Sequence, residues 1–188
     1  VDEQKWIERI LAGDTQSFSC LVAKYEKMAY TIAFRILGNR EEAEEAVQDA
    51  FVKMYRALSN FHFDSKFSTW FYRIVYRTAL TASRQQRMFV NYEEAGSIDD
   101  LSNDEVESAT DLLEREDRKE MIARTLRKLP ADEALLLTLH YLEECSVEEI
   151  CQITELSTSN VKVKLFRGRK RFYEVLQDKM KLDTADLL

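Results

Sequence analysis

Apolar residues recur along most of this 188-residue chain at steps of three and four, the period of an amphipathic helix rather than a strand. LAGDTQSF holds the first stop and start: Gly13 ends one helix, and Asp14 or Thr15 is placed to cap the next. The second helix carries Phe18, Leu21, Val22, Tyr25, Met28, Ala29, Ile32 and Ile36 at helical spacing. Gly38 accepts the left-handed backbone that closes it, and Asn39 can cap the third helix. From Arg40 to about Leu58, Ala43, Ala46, Val47, Ala50, Val52, Met54 and Leu58 alternate with Glu and Lys. The acids gather at the start of that helix, as its dipole prefers. SNFHFDSK is a short polar loop with two phenylalanines, and a fourth helix runs from about Ser68 to Gln86.

Residues 89–113 lose this periodicity and gain acids and serine, the composition of a flexible linker. Beyond it lies a second helical unit. One helix spans Glu114 to Leu129 and stops at Pro130, and another spans Ala131 to Leu142. Ser146-x-x-Glu149 is a capping box that opens a third helix, ELS is a turn, and Ser157 can cap a last helix reaching about Lys181. The predicted fold is all-α, with two small helical domains, 1–88 and 114–188, joined by an acidic linker. One Pro and four Gly in the whole chain suit helices rather than a fold of many tight turns.

Helix, three-residue turn and basic helix is the helix-turn-helix pattern. Val147, Ile150, Ile153, Leu156, Val161 and Leu165 form its expected core. Ser159, Asn160, Lys162, Val163, Phe166 and Arg167 are then free to face outward, where polar and cationic groups suit base edges. Lys164, Arg169, Lys170 and Arg171 suit phosphates. Glu155 stands at the turn where glycine is usual, which costs about 1 kcal/mol if the backbone there is left-handed.

The net charge of −7 argues against nucleic acid, but its distribution argues the other way. Residues 91–120 hold twelve acids against three bases, while 157–181 hold eight bases against Glu174 and Asp178. Between Lys66 and Tyr92 there is no acid at all. On a helix, Phe67, Trp70, Phe71, Ile74 and Thr78 fall on one face, and Tyr72, Arg73, Tyr76, Arg77 and Arg84 fall largely on another. The first set fits a core. Rings between arginines suit an opened DNA strand, because rings stack on unpaired bases and guanidiniums hold phosphates. The loop from Asn60 to Lys66 is a natural receiver for a flipped base.

Three cysteines, Cys20, Cys145 and Cys151, lack C-x-x-C spacing, and with only His62 and His140 beside them they are expected as buried free thiols in a reducing cytoplasm, not as a metal site. No cofactor motif is present, and neither a nucleophile–base set nor a phosphate loop suggests an enzyme. No apolar run is long enough to span a bilayer, and VDEQKW lacks a signal-peptide pattern, so a cytoplasmic location is expected.

Three blocks together resemble the bacterial extracytoplasmic-function (ECF) sigma factors, small initiation subunits of RNA polymerase. They are FSCLVAKYEKMAYTIAFRILGNREEAEEAVQDAFVKMYRAL, FSTWFYRIVYR and LRKLPADEALLLTLHYLEECSVEEICQITELSTSNVKVKLFRGRKRF. The resemblance implies sigma region 2 over 1–88, a linker over 89–113 and sigma region 4 over 114–188. It implies that Glu45, Gln48, Asp49 and Val52 form the contact with core RNA polymerase. It places Asn60, Phe63, Asp64, Ser65, Lys66 and Phe67 around a minus-ten base pocket, with Tyr72, Arg73, Tyr76 and Arg77 tracking the strand. Trp70 and Phe71 stand where a melting wedge is found, though both fit a core equally well. Ser159, Asn160, Lys162, Val163, Lys164, Phe166, Arg167 and Lys170 would meet the minus-thirty-five element. TALTASRQQR lacks the aspartate usual near that helix's end. Promoter DNA, duplex and single-stranded, and an anti-sigma factor are the further partners implied; the opposed charges suggest that the acidic linker or this partner covers the basic faces of the free protein. A conventional helix-turn-helix regulator working without polymerase, and a helical scaffold with no DNA role, are the rival readings.

Overall fold

Each chain reversal is built by the residues that punctuate the pattern. Asp14 accepts from the Gln16 amide at 2.9 Å and the Ser17 hydroxyl at 2.8 Å, so it, not Thr15, caps the second helix. Gly38 is left-handed at φ 72°, and Asn39 accepts from the Glu42 amide at 3.1 Å. The computed structural model describes the backbone of residues 3–90 and 110–185, with side chains over 3–85 and 119–177.

Four helices make the first unit: α1 (Glu3–Leu11), α2 (Gln16–Leu37), α3 (Arg40–Ala57) and α4 (Phe67–Val90), with a 3-10 turn at Leu58–Asn60. The second holds α5 (Thr110–Arg127), α6 (Ala131–Tyr141), α7 (Val147–Thr154) and α8 (Thr158–Ala185). No strand occurs among the described residues, and no helix there is long and apolar enough to cross a membrane. The helix expected from Glu114 begins at Thr110, and α4 runs on to Val90. The acidic stretch 91–109 and the side chains of Arg87, Lys179 and Lys181 lie outside the described residues.

Helices α2, α3 and α4 pack on one another, and α1 lies along α2. Ala29, Ala33, Ala43, Ala46 and Ala50 are all buried, which lets these helix backbones approach closely. Around them lies a ring cluster of Tyr25, Phe51, Phe61, Phe67, Phe71 and Tyr72, with centroid separations of 4.8–6.3 Å and mostly tilted or edge-on geometry. In the second unit Leu135, Leu136, Leu139, Ile150, Ile153, Val161 and Leu165 form the core between α6, α7 and α8.

The two units touch. Helix α7 packs along α4, α6 packs against α2, and the Arg35 guanidinium donates to the Leu126 carbonyl at 3.2 Å. The thiols differ from expectation in one place: Cys145 is buried and Cys151 half-buried, but Cys20 is exposed, because position 20 falls on the solvent side of α2.

Candidate nucleic-acid interface

Three surfaces carry the side chains singled out in the sequence. The first is the outer face of α3. Its inward stripe is Ala43, Ala46, Val47, Ala50, Phe51 and Met54, which turns Glu45, Gln48, Asp49 and Val52 outward. All four are exposed, Val52 to 48%. Val52 therefore does not belong to the buried stripe in which its spacing also placed it. Tyr55 extends the same face, exposed and edge-on to Phe18 at 5.1 Å. Sequence spacing did not single it out, although it stands three residues beyond Val52.

The second surface is the 61–66 loop with the start of α4. Phe61 is buried and anchors the loop against Phe67 and Trp70 at 5.5 and 5.1 Å. Phe63, with φ 60° and 48% exposed, takes a left-handed conformation that a bulky side chain rarely adopts. Such strain is held where the surroundings impose it, commonly at functional sites. Asn60, Asp64 and Lys66 are exposed, and Ser65 is half-buried.

Along α4 the sorting by face is corrected at Tyr72. Phe67 and Phe71 are core, and Trp70 is half-buried against Phe61 and Phe67. Tyr72, expected on the outer face, is only 2% exposed; its ring packs against Tyr25 and its hydroxyl donates to Glu143 at 2.7 Å. Burial, and then the Glu143 charge, push that hydroxyl far above its ordinary pKa. The Tyr72 ring is thus closed to a stacking base in this arrangement. The reason is that α4 is covered by α2 and α3 and also by α7, so its buried surface is wider than one helical stripe. Arg73, Arg77 and Arg84 remain exposed, and Tyr76 is half-buried.

The third surface is α7, its turn and α8. The Ser146 hydroxyl accepts from the Glu149 amide at 3.1 Å, and the Glu149 carboxylate accepts from the Ser146 amide at 2.7 Å, completing the capping box. Glu155 is left-handed, φ 61°, and its amide closes onto the Cys151 carbonyl at 2.8 Å. Ser157 Oγ accepts from the Asn160 amide at 3.3 Å. Val161 and Leu165 turn inward, leaving Ser159, Asn160, Lys162, Val163, Phe166, Arg167 and Lys170 exposed, with Phe166 at 66%. Lys164, expected to be free for phosphate, is instead ion-paired with Asp132 of α6. Arg171 is held likewise by the buried Glu133 at 2.9 Å. These two bases fasten α8 to α6.

Among the described residues no group of three or more His, Cys, Asp or Glu is arranged to hold a metal ion. The three surfaces present a carboxylate-and-apolar helix face, a strained aromatic loop beside a cationic helix, and a polar, basic helix projecting from a helix-turn-helix.

Comparison with known proteins decides the family. The description Sigma-70 region 2 matches residues 21–88, and Sigma-70, region 4 matches residues 119–172. The RNA polymerase sigma-H factor of Pseudomonas aeruginosa is 32% identical over 181 residues, covering 93% of this chain and 94% of that protein. The chain belongs to the ECF RNA polymerase sigma factors. The ECF RNA polymerase sigma-E factor of Escherichia coli is likewise 32% identical over 179 residues, covering 89% of this chain and 91% of its own. Among solved structures, the sigma factor RpoE in complex with the anti-sigma factor NepR from Bartonella quintana has a TM-score of 0.69 at 19% identity, over 87% of this chain and 98% of that one. CnrH in complex with the cytosolic domain of CnrY gives 0.59 at 21% identity, over 95% and 99%. At such identities these two likenesses speak for the fold alone. As an ECF sigma factor the protein binds core RNA polymerase and promoter DNA and directs transcription initiation. A regulator carrying only a helix-turn-helix does not account for the match over 21–88.

Proposed function

We propose that the sigma activity is divided among the three surfaces, one task to each. Region 2 spans 1–88, and its α3 face, Glu45, Gln48, Asp49 and Val52 together with Tyr55, docks on core polymerase. Asn60, Phe63, Asp64, Ser65 and Lys66, floored by Phe67, form the pocket for a minus-ten base flipped out of the non-template strand. Arg73, Tyr76 and Arg77 track that strand, and Trp70 stands closest to the melting fork. Residues 89–113 join this unit to region 4, spanning 114–188. There Ser159, Asn160, Lys162, Val163, Phe166 and Arg167 read the minus-thirty-five element in the major groove, with Lys170 on phosphate. Lys164 contributes positive potential from its place beside Asp132.

One observation carries this assignment. Along α8 the side chains given to DNA are exposed, while the intervening Val161 and Leu165 are buried, so one helix both completes the core and presents a polar, cationic face. The protein acts in the cytoplasm without catalysis of its own, and an anti-sigma factor is its expected antagonist. That partner class is motivated by a fold neighbour solved in complex with the anti-sigma factor NepR. Run-off transcription with purified core polymerase and a promoter library tests the whole: initiation on a defined subset of templates is expected, and initiation on none refutes it. Val52→Glu tests the docking face, since it should weaken holoenzyme assembly without lowering thermal stability.

A further inference from the structure

The face of α4 assigned to the DNA strand already has an occupant. Helix α7 and the loop before it lie along it. Three carboxylates, six residues apart in sequence, meet it in order. Glu143 accepts from the Tyr72 hydroxyl at 2.7 Å. Glu149 takes the Lys66 ammonium at 3.0 Å, with the Thr69 hydroxyl at 3.5 Å. Glu155 accepts from Arg77 Nε at 2.8 Å and lies 3.5 Å from the Arg73 guanidinium. Lys66, Arg73 and Arg77 are thus all engaged, and by groups with the charge and acceptor geometry of strand phosphates.

Glu155 is the telling member. Its left-handed backbone suits glycine, and no contact within the helix-turn-helix needs a carboxylate there. Its side-chain partners are Arg73 and Arg77 of the other unit. We propose that α7 is an intramolecular stand-in for promoter strand: Glu143, Glu149 and Glu155 occupy the strand-capturing face of α4, so the free sigma factor is closed to single-stranded DNA until the two units part. This rests on the strand role proposed for α4. The contact is built to release. Lys66, Arg73, Arg77 and Glu155 each keep about half or more of their side-chain surface in solvent, where added salt screens their attraction.

The test uses the full chain. A triple variant, Glu143→Gln/Glu149→Gln/Glu155→Gly, removes the carboxylates while keeping a glutamine in the capping box and giving the turn its favoured residue. A charge-matched control, Glu26→Gln/Glu41→Gln/Glu148→Gln, alters net charge equally at exposed positions outside the contact with α4. Small-angle scattering gives the radius of gyration, and fluorescence anisotropy gives affinity for a randomised pool of single-stranded oligodeoxynucleotides. The first variant should expand and bind the pool about tenfold more tightly, as expected if about a tenth of the wild-type molecules are open. The control should do neither. Equal behaviour of the two variants overturns the proposal, and so does expansion without tighter binding. The strand role itself is tested apart, by Arg73→Ala/Arg77→Ala in promoter opening by the assembled holoenzyme. If that variant opens promoters normally, the assignment of α4 fails whatever the scattering shows.

Discussion

Gly168 sits in the middle of α8 and is buried against α6, one residue beyond Arg167. A Cβ built there would lie 3.2 Å from Leu137 Cδ1 and 3.3 Å from both Leu137 Cγ and Glu133 Cβ. Replacing glycine by alanine in a helix interior is worth about 1 kcal/mol in propensity. Against that stands overpacking, which costs about 1–3 kcal/mol when neighbours must shift. Leu137 is itself buried, and Glu133 Cβ moves only with the α6 backbone. Strain therefore outweighs propensity, and Gly168→Ala should be neutral to about 2 kcal/mol destabilising. Gly168→Leu has no such balance. It forces α8 away from α6 and separates Arg171 from buried Glu133, so a loss of more than about 3 kcal/mol is expected as that carboxylate is left unpaired. Urea titrations followed by circular dichroism read both variants from the midpoint at unchanged slope. Run-off transcription should fall with Gly168→Leu, because the reading face of α8 turns with the helix. A Gly168→Ala protein stabilised by the full propensity gain would refute the close approach of α8 to α6.

Phe63→Gly should relieve the left-handed strain and hold or raise the melting temperature, yet reduce promoter opening assayed by permanganate footprinting; unchanged opening removes the ring from the base pocket. Arg167→Ala should lose about tenfold or more in minus-thirty-five duplex affinity and relax preference at one or two base pairs, whereas Lys170→Ala should weaken all sequences alike and flatten the salt dependence, both read by anisotropy. The inter-unit contact should also depend on pH in a fixed direction. Burial raises the Glu149 carboxyl, but the Ser146 amide and Lys66 outweigh it and hold it below the ordinary range; Arg77, then Arg73, lower Glu155. A lowered carboxylate stabilises the closed form above its ordinary pKa and ceases to do so as pH falls through the lowered value. The other groups around the contact, Lys66, Tyr72 and Cys145, have pKa values raised above their ordinary ones, Cys145 to about 11 by burial and by Glu149 and Glu143. Scattering should therefore show no expansion from pH 8 to 5 and expansion only below the glutamate range; expansion between pH 6 and 8 would contradict the assignment.

Local chemistry is what the sequence discloses best. Gly38 with Asn39, the Ser146–Glu149 box and the Ser157 cap each use partners within four residues, and each is found where the pattern puts it. The same holds for the outward face of α8, whose Ser159, Asn160, Lys162, Val163, Phe166, Arg167 and Lys170 no neighbouring helix covers. Periodicity fails where a helix has more than one neighbour. Tyr72 lies on a side of α4 that looks polar beside Arg73 and Arg77, and it is buried because α7, some seventy residues later in the chain, lies over it. Gly168 goes unmarked by the helical pattern that runs through it, and its reason is the α6 surface. Glu155 reads as a misplaced residue, and its reason is a pair of arginines in the other unit.

These late-recognised residues share one physical cause. An acidic protein that must grip DNA cannot leave strongly basic surfaces bare without inviting every polyanion in reach. Its own carboxylates therefore have to lie where they can neutralise those surfaces and still withdraw. Glu149 meets both needs. At the third position of α7 it completes a capping box and favours the helix dipole, so the helix keeps a use for it whether the units are together or apart. Its second contact, to Lys66, exists in the closed arrangement. A group anchored locally and shared distantly can trade its distant partner for solvent at little cost to its own unit. That is the property a reversible cover needs, and a buried apolar contact of similar size, with nothing to satisfy it once exposed, would lack it.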